Sequence, residues 1–270
     1  MGSSVSSLGS NELPVSGAVG VAERPPAPKD PQVRAFISLY SAALSAVAGF
    51  VNSVLLVALV HPVSHVSGSL SYSSMNAANG RVDGLFNLVV VLASFFLGAV
   101  AAGAVLSGTE SETGRRYGLA LIVEAALLGV AALAGMAGHV TWAPALAAVG
   151  CGLQNAMSSN YRGLVIRTTH MTGTFTDLGV LIGRSSHRDV DMWRCTLLLA
   201  TVVGFVVGGV AGATSSGPLG AAALLIPAMT CLALGIVYYG FHQYMRGQET
   251  GPRPVAPEAP SPLREKLAIR

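Results

Sequence analysis

Hydroxyls, an imidazole and a carboxylate crowd into Arg167-Thr168-Thr169-His170-Met171-Thr172-Gly173-Thr174-Phe175-Thr176-Asp177, in a chain that is 51% hydrophobic and 11% charged. A weaker copy stands about a hundred residues earlier, at Val63-Ser64-His65-Val66-Ser67-Gly68-Ser69-Leu70-Ser71. In hydrocarbon every backbone N–H and C=O must be paired. Non-helical chain survives there only under protein cover or beside a water-filled cavity. A Thr/Ser-Gly-Thr/Ser element suits such a break. Glycine permits a turn, small hydroxyls re-pair the freed backbone groups, and the half-helix that follows presents N–H groups to a ligand. Leu178-Gly179-Val180-Leu181-Ile182-Gly183 is the candidate half-helix. The plainer alternative is a cytoplasmic loop and surface helix over 163–193.

Candidate ligand-binding residues follow from that chemistry. They are Ser67, Gly68 and Ser69 in the first element and Thr172, Gly173 and Thr174 in the second, flanked by His65 and His170. Imidazole titrates near neutrality, so each histidine could bind a ligand or relay protons. Equally, each could hydrogen-bond the hydroxyls around it and pin the break. Asn52, Gln154 and Asn155 lie within apolar spans, where amides line a polar path or tie helices together. Glu124 and Asp177 are the candidates for coupling or gating. Glu124 is the only acidic residue inside a long apolar span, which reads as functional unless it snorkels to the inner interface. Asp177 follows the second motif, with Tyr72 as its counterpart in the first, so the halves differ chemically.

Other chemistries find little support. GxSxG, HExxH and Walker A patterns are missing, so no enzyme is expected. Cys151, Cys195 and Cys231 form no CxxC pair or metal spacing and read as inert membrane cysteines. No cofactor or metal is implied.

These residues must be positioned by membrane helices. A soluble domain carries about 25% charged residues, and 32 glycines supply small faces for close helix packing. The class is all-α and polytopic. Six spans are expected near 35–60, 85–107, 117–138, 142–161, 194–213 and 218–244. Pro227 should kink the sixth, and Gly204, Gly208 and Gly212 should press the fifth against a neighbour. Residues 1–33 and 247–270 read as disordered cytoplasmic tails. Of the 16 basic residues, all but Arg81 fall in segments on one side of this arrangement. That puts both termini in the cytoplasm.

Gly49-Phe50-Val51-Asn52 matches Gly152-Leu153-Gln154-Asn155, and His65-Val66-Ser67-Gly68-Ser69 matches His170-Met171-Thr172-Gly173-Thr174. Two matches in one order predict duplicated three-span units at 34–138 and 139–246. Three is odd, so the second unit would enter from the opposite side, a plan of secondary transporters. The same residues, with Gly-Leu-Gln-Asn-Ala and Thr-Thr-His-Met-Thr-Gly-Thr, resemble the YoaK family of bacterial multi-pass membrane proteins over about 35–245. That resemblance implies a membrane fold and supplies no substrate. Asn52 and Ser67-Gly68-Ser69 depart from it, where an acidic residue and Thr/Ser-Gly-Asn would be typical.

The expected function is a small-solute transporter or channel in the cell (inner) membrane, with a polar site between the repeats. The alternative is a non-transporting membrane sensor or assembly protein, and a third is an intramembrane enzyme. Partners open to the chain are the lipid bilayer, an unidentified small solute and a second copy of itself; nothing points to nucleic acid. Opposed half-helix N-termini would favour an anionic solute.

Overall fold

The structure, a computed structural model, describes residue 28 and residues 30–59, 66–106, 110–159, 168–184 and 191–249. Among the described residues it is helical, without a strand. The order is α1 (Pro31–Leu59), α2 (Val66–Ala78), α3 (Val82–Leu106), α4 (Glu110–Met136), α5 (Trp142–Ser159), α6 (Met171–Arg184), α7 (Met192–Leu219), a 3-10 turn (Gly220–Leu224) and α8 (Leu225–Glu249). A long helix, a short one and two long ones thus follow one another twice. Most of both expected tails lies outside the described residues.

Four stretches are long and apolar enough to cross a membrane: Pro31–Ala58, Gly84–Leu106, Arg115–Met136 and Met192–Gly240. The last runs 49 residues and holds both α7 and most of α8. The fourth expected span is α5, which is not among them. It has 18 residues, and Gln154, Asn155 and Ser158 dilute its apolar content. Large apolar side chains such as Phe96, Leu97, Val207, Ile236 and Val237 face outward. A belt of that kind suits a lipid bilayer.

Local signals explain most helix ends. Asp30 accepts from the Gln32 N–H at 2.8 Å, with Pro31 at the first helical position, where a missing donor costs nothing. Asp191 caps α7 through the Arg194 N–H at 3.1 Å. Pro227 does not kink the interior of a span. It falls in the first turn of α8, where its absent N–H had no intrahelical partner to lose. The break lies earlier, at Gly220 with φ 54° and the 3-10 turn after it.

Glycines set the close crossings. A Cβ on Gly204, Gly208 or Gly212 would fall onto the carbonyl oxygens of Ala42, Ala46 and Phe50 respectively. The residue numbers rise together, so α1 and α7 run parallel with backbones touching, as the glycine ridge predicts. α3 and α5 cross the same way. Gly98 meets the Val149 carbonyl, and Thr141 donates to Asn87 near both helix starts. α4 and α8 run antiparallel, because Gly118 meets Tyr239 while Gly135 meets Ala221.

Two apolar clusters fill the interior, one toward each end. The first holds Val54, Leu55, Leu128, Ala147 and Leu224. The second holds Ile37, Leu44, Leu121, Leu153 and Met157 with the Tyr40, Tyr117 and Tyr238 rings. Basic side chains gather beyond the second cluster. Arg34 lies over the Trp193 ring and Arg115 over the Tyr239 ring, at 5.9 and 5.8 Å. Arg116 donates to the Val105 carbonyl at 3.1 Å.

Candidate functional site

Thr168 and Thr169 are the non-helical residues on which the polar interior converges. Both are buried, although they lie in the connection between α5 and α6. Ser45, the central residue of α1, donates its hydroxyl to the Thr168 carbonyl at 2.9 Å. The Thr169 hydroxyl donates to Asn155 Oδ1 on α5 at 2.9 Å, and the Ser158 hydroxyl lies 3.5 Å from that of Thr168. Unwound backbone thus reaches the middle of the longest helix and finds hydroxyl and amide partners there. That satisfies the pairing demanded of buried chain.

The polar seam extends along α1. Ser41 and the Thr201 hydroxyl of α7 stand 2.8 Å apart. One turn further on, Gln154 Nε2 donates to the Leu44 carbonyl at 2.7 Å. Asn52 is buried further along the same helix.

The second motif is organised differently from the sequence expectation. Gly173 is the third residue of α6, inside its first turn, and does not adopt a positive φ. The turn precedes it, at Thr168-Thr169-His170. The Met171 N–H donates to the Thr169 carbonyl at 3.1 Å, and the Thr174 N–H and hydroxyl both donate to the His170 carbonyl, at 3.1 and 3.2 Å. The imidazole of His170 folds over Gly173, where a Cβ would stand 2.5 Å from His170 Cδ2. The glycine accommodates the ring instead of bending the chain. Thr174 is buried while His170 and Thr172 are exposed.

The first motif repeats the local layout. Gly68 is likewise the third residue of its helix, and Ser69 is buried as Thr174 is. His65 lies outside the described residues. α2 rests on α3 and α6 rests on α7; among the described residues the two short helices do not touch each other. Ser67-Gly68-Ser69 therefore makes no contact with Thr172-Gly173-Thr174.

Glu124 sits at the centre of its stretch Arg115–Met136 and is 1% exposed. It does not snorkel. It faces the seam between α4, α5 and α8, where Cys231 hydrogen-bonds its carboxyl and Cys151 lies close by. Oε2 has no partner among the described residues. Asp177, by contrast, is a surface residue paired with Arg194 at 3.5 Å.

Residues 40–237 match the family described as protein of unknown function (DUF1275). The chain belongs to that family. No curated protein and no solved structure matches it. Family membership agrees with the expectation of an uncharacterised family, and four stretches long and apolar enough to cross a membrane suit a membrane protein.

Several buried polar residues escaped the motif search: Ser41, Ser45, Ser158, Thr201, and the Thr168-Thr169 pair as the true break. Ser41, Ser45 and Asn52 fall on one stripe of α1 at helical spacing, and that stripe was the available signal. The thiols beside Glu124 gave none. They come from helices far apart in sequence.

Proposed function

We propose that this DUF1275 protein is a six-crossing transporter or channel for a small solute, in the cell (inner) membrane. It is built from two inverted three-span repeats with a polar site between them. The reciprocal glycine contacts carry this reading. A Cβ on Gly49 of α1 would meet the Phe205 carbonyl and the Gly209 N–H of α7. A Cβ on Gly152 of α5 would meet the Phe95 carbonyl and the Ala99 N–H of α3 in the same way. Gly208 stands to Ala46 as Gly98 stands to Val149. Each correspondence joins equivalent positions of the two halves. Gly118 and Gly235 face each other across α4 and α8, where a two-fold axis relating the halves would pass. A unit with an odd number of spans returns inverted.

The helix directions support six crossings. α5 runs antiparallel to α4 and parallel to α3, as a fourth crossing requires. The end that holds Arg34, Arg115 and Arg116 is then cytoplasmic with both termini. Single cysteines near Gly138-His139 should react from outside and those near Arg115 should not. The narrower YoaK resemblance belongs to the same proposal. Thr168-Thr169 against Ser45 supports chain that re-enters the membrane under protein cover, with Asn155 bonded to it, Gln154 bonded to Leu44 beside Ser45, and Asn52 two turns further along α1. Arginines at that end favour an anionic solute.

The sensor or assembly reading draws on one observation. Ser45, Asn155, Ser158, Thr168 and Thr169 bond chiefly to one another, which a purely structural break would also do. Water access separates the two readings without knowledge of the solute. In a cysteine-free background, Asn52→Cys and Asn155→Cys should react with a membrane-impermeant thiol reagent from each side of the membrane in turn. If both stay unreactive from both sides, the break is structural and transport is excluded.

A further inference from the structure

Glu124 is the buried group that the hydroxyl cluster does not use. Its Oε2 is buried without a partner among the described residues, and its ionisable neighbours there are thiols: Cys231 on α8 and Cys151 on α5. No charged side chain of α4, α5 or α8 acts on it among the described residues. Gln154 on α5 shows the same deficiency. Its Nε2 is committed to the Leu44 carbonyl, and a carbonyl can only accept, so the amide orientation is fixed. Its Oε1 is then left buried with no partner among the described residues. Buried acceptors without donors are costly, and an unpaired carboxylate in hydrocarbon more so.

Gly150 of α5 lies against Glu124 and one helical turn before Gln154. A Cβ built on Gly150 would stand 3.6 Å from Glu124 Cγ and 3.9 Å from Leu127 Cβ. Those are ordinary contacts, so the seam beside the carboxyl has room for a methyl-sized group.

We infer that Glu124 is an uptake site for a monovalent cation, H+ or an alkali ion, with Gln154 Oε1 as the second acceptor in the α4–α5 seam. This deepens the proposed function by making transport cation-coupled, and only the coupling rests on that reading. A proton adds to Oε2 as an O–H bond and turns the unpartnered acceptor into a donor. An alkali ion would instead be held by both oxygens in the space beside Gly150. The two sources differ in the room they need.

The test uses the full chain in lipid nanodiscs and no solute. Infrared spectra from acid to alkaline pH report the carbonyl stretch of a protonated carboxyl group. Thermal unfolding in sodium or potassium chloride, against N-methylglucamine chloride, reports alkali binding. Proton uptake predicts a titrating band beyond those of the other carboxyl groups, insensitive to sodium and potassium, absent in Glu124→Gln and retained in Gly150→Ala. Alkali uptake predicts a saturable rise in Tm that both variants abolish, since a methyl group fills the ion's space. Glu124→Gln should fold, because it removes a buried charge at constant shape. If it does not, Glu124→Asp serves, and should shift the titration or weaken the Tm rise. A wild-type protein with neither a titrating band nor alkali-dependent stabilisation overturns the inference, as does either signal persisting in Glu124→Gln. Cation uptake without water access in the cysteine experiment would keep this site and sink the transporter reading.

Discussion

The α1–α7 and α3–α5 crossings share a backbone and differ in chemistry. Both bring a glycine of one helix onto a carbonyl of the other, at matched positions. Among the described residues, only the first carries a hydroxyl pair, Ser41 with Thr201, and α1 goes on from there to donate from Ser45 to the Thr168 carbonyl of the α5–α6 connection. At the positions of the second crossing equivalent to Ser41, Ser45 and Thr201 stand Pro144, Ala148 and Val91. Among the described residues close packing is thus built twice, whereas the polar seam is built once. The duplicated scaffold proposed above can hold one-sided chemistry because backbone contact depends only on small residues. Hydroxyl contact depends on which residue type each copy keeps.

The strongest challenge to the matched scaffold is to fill both crossings. Gly208→Leu and Gly98→Leu should each prevent assembly, because the side chain meets backbone that cannot move aside. Overpacking of that kind costs more than about 3 kcal/mol. Yield and Tm in detergent or nanodiscs would report it. If Gly98→Leu behaves like wild type while Gly208→Leu fails, the crossings are not equivalent and the duplication argument loses its support.

Chemical asymmetry should show at a smaller scale. Ser45→Ala leaves the buried Thr168 carbonyl without its side-chain donor, a loss of about 1–3 kcal/mol. The exchange at the matched position of the proposed second repeat, Ala148→Ser, puts a hydroxyl into a fully buried apolar cluster and should destabilise or leave stability unchanged. A lower Tm for Ser45→Ala with no gain for Ala148→Ser is the expected pair. Equal effects in both halves would show that the polar seam is not confined to one crossing.

The helices were legible in the sequence because twenty-residue apolar runs have few other uses. Gly204, Gly208 and Gly212 were legible as a packing face because small residues at every fourth position share one side of a helix. α5 was placed correctly as a helix, but its polar residues keep it outside the stretches that cross by length and composition alone. The motif glycines were misread as turn-formers. A glycine's sequence context does not say whether its missing Cβ admits a bend or, as at Gly173, an imidazole ring. Ser45 with Thr168, and Glu124 with Cys231, pair residues far apart in the chain. No local spacing could announce those contacts.

A substitution in the seam beside Glu124 sharpens the contrast between tight and loose glycines. Gly150→Ala meets only ordinary contacts and exchanges glycine for the best helix former inside α5. Its expected effect is a gain of about 0.5–1 kcal/mol, against failure for the same class of change at Gly98 or Gly208. A clear drop in Tm would mean that α4 and α5 approach more closely than the Cβ distances allow.

The weakest expected effect lies at Asp177, where the sequence suggested coupling or gating. The carboxylate is half exposed and its partner Arg194 about a quarter exposed, with 3.5 Å between them. Exposed pairs of this kind contribute about 0–1 kcal/mol and are screened by salt. Arg194 also holds its backbone N–H to Asp191, so the start of α7 stays capped without Asp177. Asp177→Asn should therefore lower Tm only slightly, and the small difference should vanish in high salt. The α6–α7 contact should persist, since the two helices pack beyond this pair. A large, salt-independent loss would show that Asp177 does more than pair with Arg194. It would move this residue from the surface of the second half into its working machinery.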